Sequence, residues 1–189
     1  MSTERDPSVP ENFLASLEKW KAVRSLGPEH ELLGQLSGDW RVSVRFHGGG
    51  EIFETEAHAS KRLAHGGRFL VEELEGEIQA PDASGRMRPE PYSATRVLGY
   101  DRYKHAWVGT FCESQNTHLL VFCGVETPSS GPRELVLFGL ADEPMLDLRD
   151  TTLRHVLRVE APDRHVWEVS AMAAGGRRVF DLVYTRPPA

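Results

Sequence analysis

The stretch that decides the fold runs from Gln35 to Gly50, QLSGDWRVSVRFHGGG. Trp40, Val42, Val44 and Phe46 alternate with Arg41, Ser43 and Arg45, the period-two pattern of a strand with one dry face and one wet face. Gly38 stands two residues before the tryptophan, and three glycines close the run as a turn. Such a strand needs a partner on each side, so the question passes to the rest of the chain.

Downstream of Trp40 the alternation recurs between evenly spaced turn residues. Ten strands are expected, near 40–47, 51–60, 68–78, 92–100, 105–113, 117–125, 133–140, 151–160, 165–173 and 177–186. Links as short as DRYK, SQN, PDR and AGGR imply antiparallel neighbours in up-and-down order. No helical spacers occur for a parallel sheet. The segment APDASGRMRPEPY exceeds the usual hairpin length and reads as a loop or a lid.

Upstream the period changes to that of a helix. Phe13, Leu14, Leu17 and Trp20 share one face, Pro10 and Asn12 suit the helix start, and Gly27-Pro28 ends it. A second short helix, PEHELLGQL, begins at Pro28 and stops by Ser37-Gly38. The expected organisation is a helical extension over residues 1–26 and one barrel domain over 27–189.

Turn positions suggest registers. A two-residue turn at Gly175-Gly176 sets Ala171, Val169 and Trp167 opposite Phe180, Leu182 and Tyr184. Pairing 161 with 165 brings Leu157 and Val159 beside Val169 and Trp167, while Arg154, Arg158, Glu160, Glu168 and Asp181 fall on the other, solvated side. If the barrel closes, the start of the first strand meets the end of the last. Trp40 then lies against Arg186, a cation–π contact worth about 0.5–2 kcal/mol.

Gly38-x-Trp40 after a short helix, with an arginine on the last strand, resembles the calycin group of lipocalin-like barrels. GPEHELLGQLSGDW, RVLGYDRYKHAWVGTF and NTHLLVFCG, in that order, resemble more specifically the bacterial family of unknown function numbered 1579, over roughly Gly27 to Arg186. The resemblance implies a lipocalin-like fold and carries no assigned activity.

Composition excludes several function classes. A chain of 189 residues, 40% hydrophobic and 26% charged, suits one globular domain. Its net charge of −6 and lack of a basic run argue against nucleic acid. No stretch approaches the roughly 20 apolar residues of a membrane helix. The polar start MSTERDPSVPEN has no signal-peptide core, and two cysteines make no disulfide framework, so a cytoplasmic location is expected. None of the eight histidines shows metal-ligand spacing, and nucleophile-elbow, phosphate-loop and dinucleotide motifs are absent.

The middle hairpins hold the candidate site. Turns at Arg102-Tyr103 and Gln115-Asn116 gather Tyr92, Ala94, Arg96, Leu98, Tyr100, Trp107, Phe111, Glu113, His118, Leu120 and Phe122 on one face, taken as the interior. Arg96 among apolar neighbours needs a partner, either a ligand carboxylate or phosphate or else Glu113. Glu72, between Leu70 and Leu74, poses the same problem, and His155 reads as a satisfied core histidine.

Glu113 and His118 are expected as direct partners at a barrel mouth. They form either an acid–base pair or a plain cross-strand contact. The leading expectation is a binding protein for a small, largely apolar ligand with a polar or anionic group. Arg96 and His118 anchor that group, and Trp107, Phe111, Phe122 and Tyr100 line the wall. The alternatives are an enzyme using His118 with Glu113, and a haem-binding barrel with His118 as axial ligand.

The opposite face, with Ser93, Thr95, Val97, Ala106, Val108, Thr110, Cys112, Leu119, Val121 and Cys123, carries no charge. Something should cover it, either the N-terminal helix or a second subunit, and a homodimer is the favoured expectation. Cys112 and Cys123, four strand positions or roughly 13 Å apart, are too distant for a disulfide and read as small hydrophobes.

Overall fold

The computed structural model describes residues 10–48, 50–128, 131–143 and 147–187. Residues 1–9, Gly49 and the centres of two expected turns, 129–130 and 144–146, lie outside the described residues, as does the side chain of Leu14. Helices α1 (Glu11–Arg24) and α2 (Glu29–Leu36) precede β1 (Gly38–Gly48), β2 (Glu51–Ala64), β3 (Phe69–Pro81), β4 (Met87–Asp101) and β5 (Ala106–Glu113). The chain continues through β6 (Leu120–Thr127), β7 (Arg133–Glu143), β8 (Leu148–Ala161), β9 (Arg164–Ala171) and β10 (Arg177–Thr185). Each strand pairs antiparallel with its sequence neighbours, and β1 pairs with β10, so the ten strands form a closed up-and-down barrel. Closure leaves no sheet edge around the main ring. None of the described helices is long and apolar enough to cross a membrane.

The expected faces hold, although three registers slide by two residues. Phe180 faces Val169 and Leu182 faces Trp167, because the β9–β10 link is a 3-10 turn over Met172–Ala174 followed by Gly175 at φ 68°. Leu157 faces Trp167, with a bulge between Val159 and Ala161. Arg96 faces Phe111, because residues 102–105 form a wider turn that ends at His105 with φ 52°. A slip of two preserves every inward side chain, whereas a slip of one would expel them all.

The long loop expected at 80–92 is mostly strand. Pro81 pairs with Met87, and Gln79 and Glu77 pair with Pro89 and Pro91. The β2–β3 ladder ends at Gly76 and the β4–β5 ladder at Ala94, so this ribbon has edges on both sides where proline is tolerated. Its turn is organised by the Asp82 carboxylate, which accepts from Ser84 Oγ at 2.6 Å, Arg88 Nε at 2.6 Å and the Ser84 and Arg86 amides. Those bonds, with the Ser84 hydroxyl foremost, hold its pKa near 2.

One end of the bore is plugged by α2, whose His30, Leu32, Leu33 and Leu36 are buried. Trp40 Nε1 donates to Leu36 O at 2.9 Å, and the Arg186 guanidinium lies 3.9 Å from the Trp40 ring centroid, as the sequence suggests. Arg186 Nη2 also donates to Gln35 O at 3.1 Å and Ser37 O at 2.7 Å. Gly38 has φ +103°, and a Cβ there would collide with Arg186 Nη1. The glycine before the tryptophan is thus required twice, by backbone conformation and by the arginine that seals the barrel.

Arg186→Ala removes the ring contact and two charge-assisted hydrogen bonds together. It should cost about 2 kcal/mol, read as a lower urea midpoint with an unchanged slope.

Candidate functional site

The registers of three adjacent strands place Lys61 opposite Glu72 and Glu72 opposite Arg96. Three charged side chains therefore enter the bore in one row across β2, β3 and β4, and all three are buried. Tyr184 and His165, paired on β10 and β9, meet the row from the far wall.

Glu72 is the hub. Its Oε1 accepts from Tyr184 Oη at 2.6 Å and its Oε2 from Arg96 Nη1 at 2.9 Å, with Lys61 Nζ at 3.4 Å. Arg96 Nη1 also donates to Tyr184 Oη at 3.1 Å. The guanidinium lies 4.0 Å from the Trp167 ring centroid and 5.3 Å from that of Phe111. Lys61 Nζ sits 3.6 Å above the Tyr184 ring and 2.8 Å from His165 Nε2. Because an ammonium only donates, His165 accepts at Nε2 and carries its proton on Nδ1, which has no partner.

Burial and charge oppose each other across this row. Burial pushes the Glu72 carboxyl up, but attraction to Arg96 and Lys61 and the Tyr184 hydrogen bond outweigh it and leave the group lowered. Burial lowers Lys61 to about 8, against the pull of Glu72 and with the help of repulsion from Arg96. Burial, then Lys61 and Arg96, keep His165 neutral.

His155 is neutral too, lowered to about 3 by burial and Arg96. Its Nδ1 accepts from Trp167 Nε1 at 3.2 Å while its Nε2 is unpartnered, so this core histidine is satisfied on one side only.

The row divides the bore. Toward α2, Trp40, Trp107, Phe122, Leu135, Leu137 and Leu157 are fully buried and fill the barrel. Toward the other end, the inward-facing Phe46, Phe53, Tyr92, Phe111, Ala141 and Leu153 stay partly exposed, the last four packed against the core. Phe46 packs against Phe53 and Phe180 there, with centroids 6.4 and 5.4 Å apart.

Of the residues expected to form the site, Arg96, Glu72 and Phe111 come together. The partner of Arg96 is Glu72 rather than Glu113. Tyr100 and Trp107 lie at the plugged end, with Tyr100 5.3 Å from Trp107 and 6.3 Å from His30 of α2. Phe122 stacks on His155 at 5.3 Å, also in the packed half.

Glu113 and His118 are not brought together. The β5–β6 register is the expected one, but its ladder stops at Phe111↔Leu120. Asn116 closes a wider loop by donating to Glu113 Oε1 at 2.7 Å and accepting from the His118 amide at 2.7 Å. The other Glu113 oxygen accepts from Tyr92 Oη at 2.5 Å. The His118 ring is tied to β7, with Nε2 3.2 Å from Leu140 O and Nδ1 3.9 Å from Asp142. Neither the acid–base pair nor an axial ligand offered to the bore is assembled. Among the described residues no group of three His, Cys, Asp or Glu could hold a metal ion.

Lys61 and His165 were not singled out by the sequence reading. The second strand was expected to end at residue 60, which left Lys61 in the turn, whereas β2 continues to Ala64. Parity could have found both: Lys61 follows Ala57 and Ala59 on the inward side, and His165 precedes Trp167 and Val169.

Comparisons with known proteins agree on the architecture. The crystal structure of Rv2717c from M. tuberculosis matches with a TM-score of 0.60 at 16% identity, covering 87% of this chain and 100% of that one. The S-type phycobiliprotein lyase CPES from Guillardia theta matches with a TM-score of 0.51 at 13% identity, covering 89% of this chain and 97% of that one. At such identities the likeness shows the fold alone, a lipocalin-like barrel. No curated protein matches the chain. The family described as protein of unknown function (DUF1579) matches residues 25–186, which take in α2 and the whole barrel, and the chain belongs to that family.

Proposed function

We propose that this chain is a binding protein for a small molecule with an apolar body and an anionic group. The body lies against the partly exposed aromatic rings at the open end of the bore and the charge points toward Arg96. One observation carries the reading: Lys61 and Arg96 share a single buried carboxylate, Glu72. An uncompensated cation in a desolvated site is costly unless something of opposite sign completes it. Arg96 Nε is buried without a partner, so this guanidinium donor remains to be used. The half-exposed rings of Phe46, Phe53 and Phe111 offer apolar surface above it, as ligand pockets do. An acid–base role for Glu113 and His118, or a haem-ligand role for His118, has less support because both side chains are bonded elsewhere.

Anilinonaphthalene sulfonate and N-phenylnaphthylamine test the charge, since they share an aromatic body and only the first is anionic. The wild type should bind the sulfonate more tightly, and Arg96→Gln, which leaves Lys61 and Glu72 balanced, should weaken it about tenfold while sparing the neutral probe. Arg96→Lys should keep part of the preference. Unchanged sulfonate binding by a folded Arg96→Gln protein would overturn the assignment of the anchor.

The excess charge should also register as stability. Between about pH 8 and the ordinary lysine value of 10.5, the folded chain has released the Lys61 proton while the unfolded chain keeps it. Rising pH therefore stabilises the fold in that window, and the gain disappears as pH falls through 8. Lys61→Met should abolish this rise between pH 8 and 10 and add on the order of 1 kcal/mol at pH 7, by denaturant titration.

A further inference from the structure

The outer wall across β5, β6 and β7 is apolar and uncovered. Val121, Cys123 and Val125 alternate outward along β6, Leu119 just before it continues the row, and Phe138 of β7 stands directly opposite Cys123. Val121 is 62% exposed, and Leu140 and Cys112 extend the patch on either side. The same chain carries a second set of uncovered apolar side chains on and just after α1, where Phe13 is 55% and Trp20 52% exposed, with Val23 and, past the helix end, Leu26 continuing it.

The described contacts of α1 to the barrel lie at its C-terminal end. Arg102 Nη1 donates to Ala22 O and Ser25 O, and Arg68 Nη2 donates to Arg24 O. Both surfaces are exposed in one molecule, so α1 does not cover its own wall.

We propose that two copies of this chain form a two-fold dimer in which α1 of each lies along the uncharged wall of the other. The dimensions agree. Phe13 to Val23 spans about 15 Å of helix, and Leu119 to Val125 about 20 Å of strand. Exposed apolar area on the two surfaces is on the order of 1,000 Å² per chain, so reciprocal docking buries about 2,000 Å² in total, the range of a stable interface. The wall presents no charge at its centre, and on α1 the Arg24 guanidinium, 4.0 Å over the Trp20 ring, has only to swing aside into solvent for the ring to dock. Because each copy supplies one helix and one wall, a two-fold axis satisfies both and closes the assembly at two.

Sedimentation of the full-length protein tests the assembly. The wild type should be a dimer, and Trp20→Glu and Val121→Glu, both at exposed positions, should each raise the dissociation constant at least about tenfold. A monomeric wild type overturns the proposal. So does a Trp20→Glu protein that remains dimeric, since the walls would then pair without α1. Trp20→Cys combined with Cys112→Ser leaves Cys123 as the wall thiol. Mild copper–phenanthroline oxidation should link two chains, and a disulfide within one chain would overturn the exchange by showing that α1 folds onto its own wall.

Discussion

The pairing of β1 with β10, from Arg41↔Thr185 to Phe46↔Phe180, turns a ten-stranded sheet into a ring, and the contacts across the bore follow from that closure. Only in a ring do β4 and β10 face each other across a bore, so only there can Arg96 reach Tyr184. The Trp40–Arg186 contact stands at the seam and ties it to α2 through the carbonyls of Gln35 and Ser37. Seam, plug and bore are therefore linked: loosening the seam would expose the filled half of the barrel beneath α2.

The interior is unusual in holding charge where a barrel of this size can be filled with hydrocarbon. Lys61, Glu72 and Arg96 sit in one row because their strands pair in that register, and the aromatic rings of Tyr184 and Trp167 accept the two cations on their faces. Cation–π contacts and hydrogen bonds offset part of the desolvation, yet a hydrophobic replacement would commonly be as stable or more so. Such a row also penalises misregister, since a slip of one residue would carry it to the outside and bring Glu73 and Val97 within. It marks the level at which full burial ends and partly exposed rings begin.

The outside of the barrel is divided just as sharply. From β7 to β10 an ion ladder runs Glu134–Arg158–Glu168–Arg178–Asp181, with contacts of 2.9 to 3.4 Å, and His47 of β1 hydrogen-bonds its last carboxylate at 2.9 Å. Asp181 is buried among these contacts and most of the other members are half-buried, so together they give that wall a charged rather than an apolar surface. Among the described residues the wall of β5 to β7 carries an ion pair at one rim, Arg133–Glu126 at 2.6 Å, and no ladder across its middle. One side of the barrel is built for water, and the other keeps apolar side chains that water does not favour.

By itself the sequence determined the strand count, the up-and-down order, which side chains face inward, and the Trp40–Arg186 seam. These follow from period-two alternation and short links, which are local and survive a register slip of two. The β5–β6 register was legible as well, while those at β4–β5, β8–β9 and β9–β10 were not. Their turns form a wider loop, a bulge and a 3-10 turn, whose geometry is settled by packing rather than by glycine positions alone. The site was half legible. Arg96 and Glu72 stood out because charge on an apolar face demands a partner, but neither was matched to the other, and Lys61 was lost with the end of β2. Only the tertiary structure decided these pairings, because they join side chains up to 112 positions apart, as between Glu72 and Tyr184, and such proximity exists only once the ring has closed.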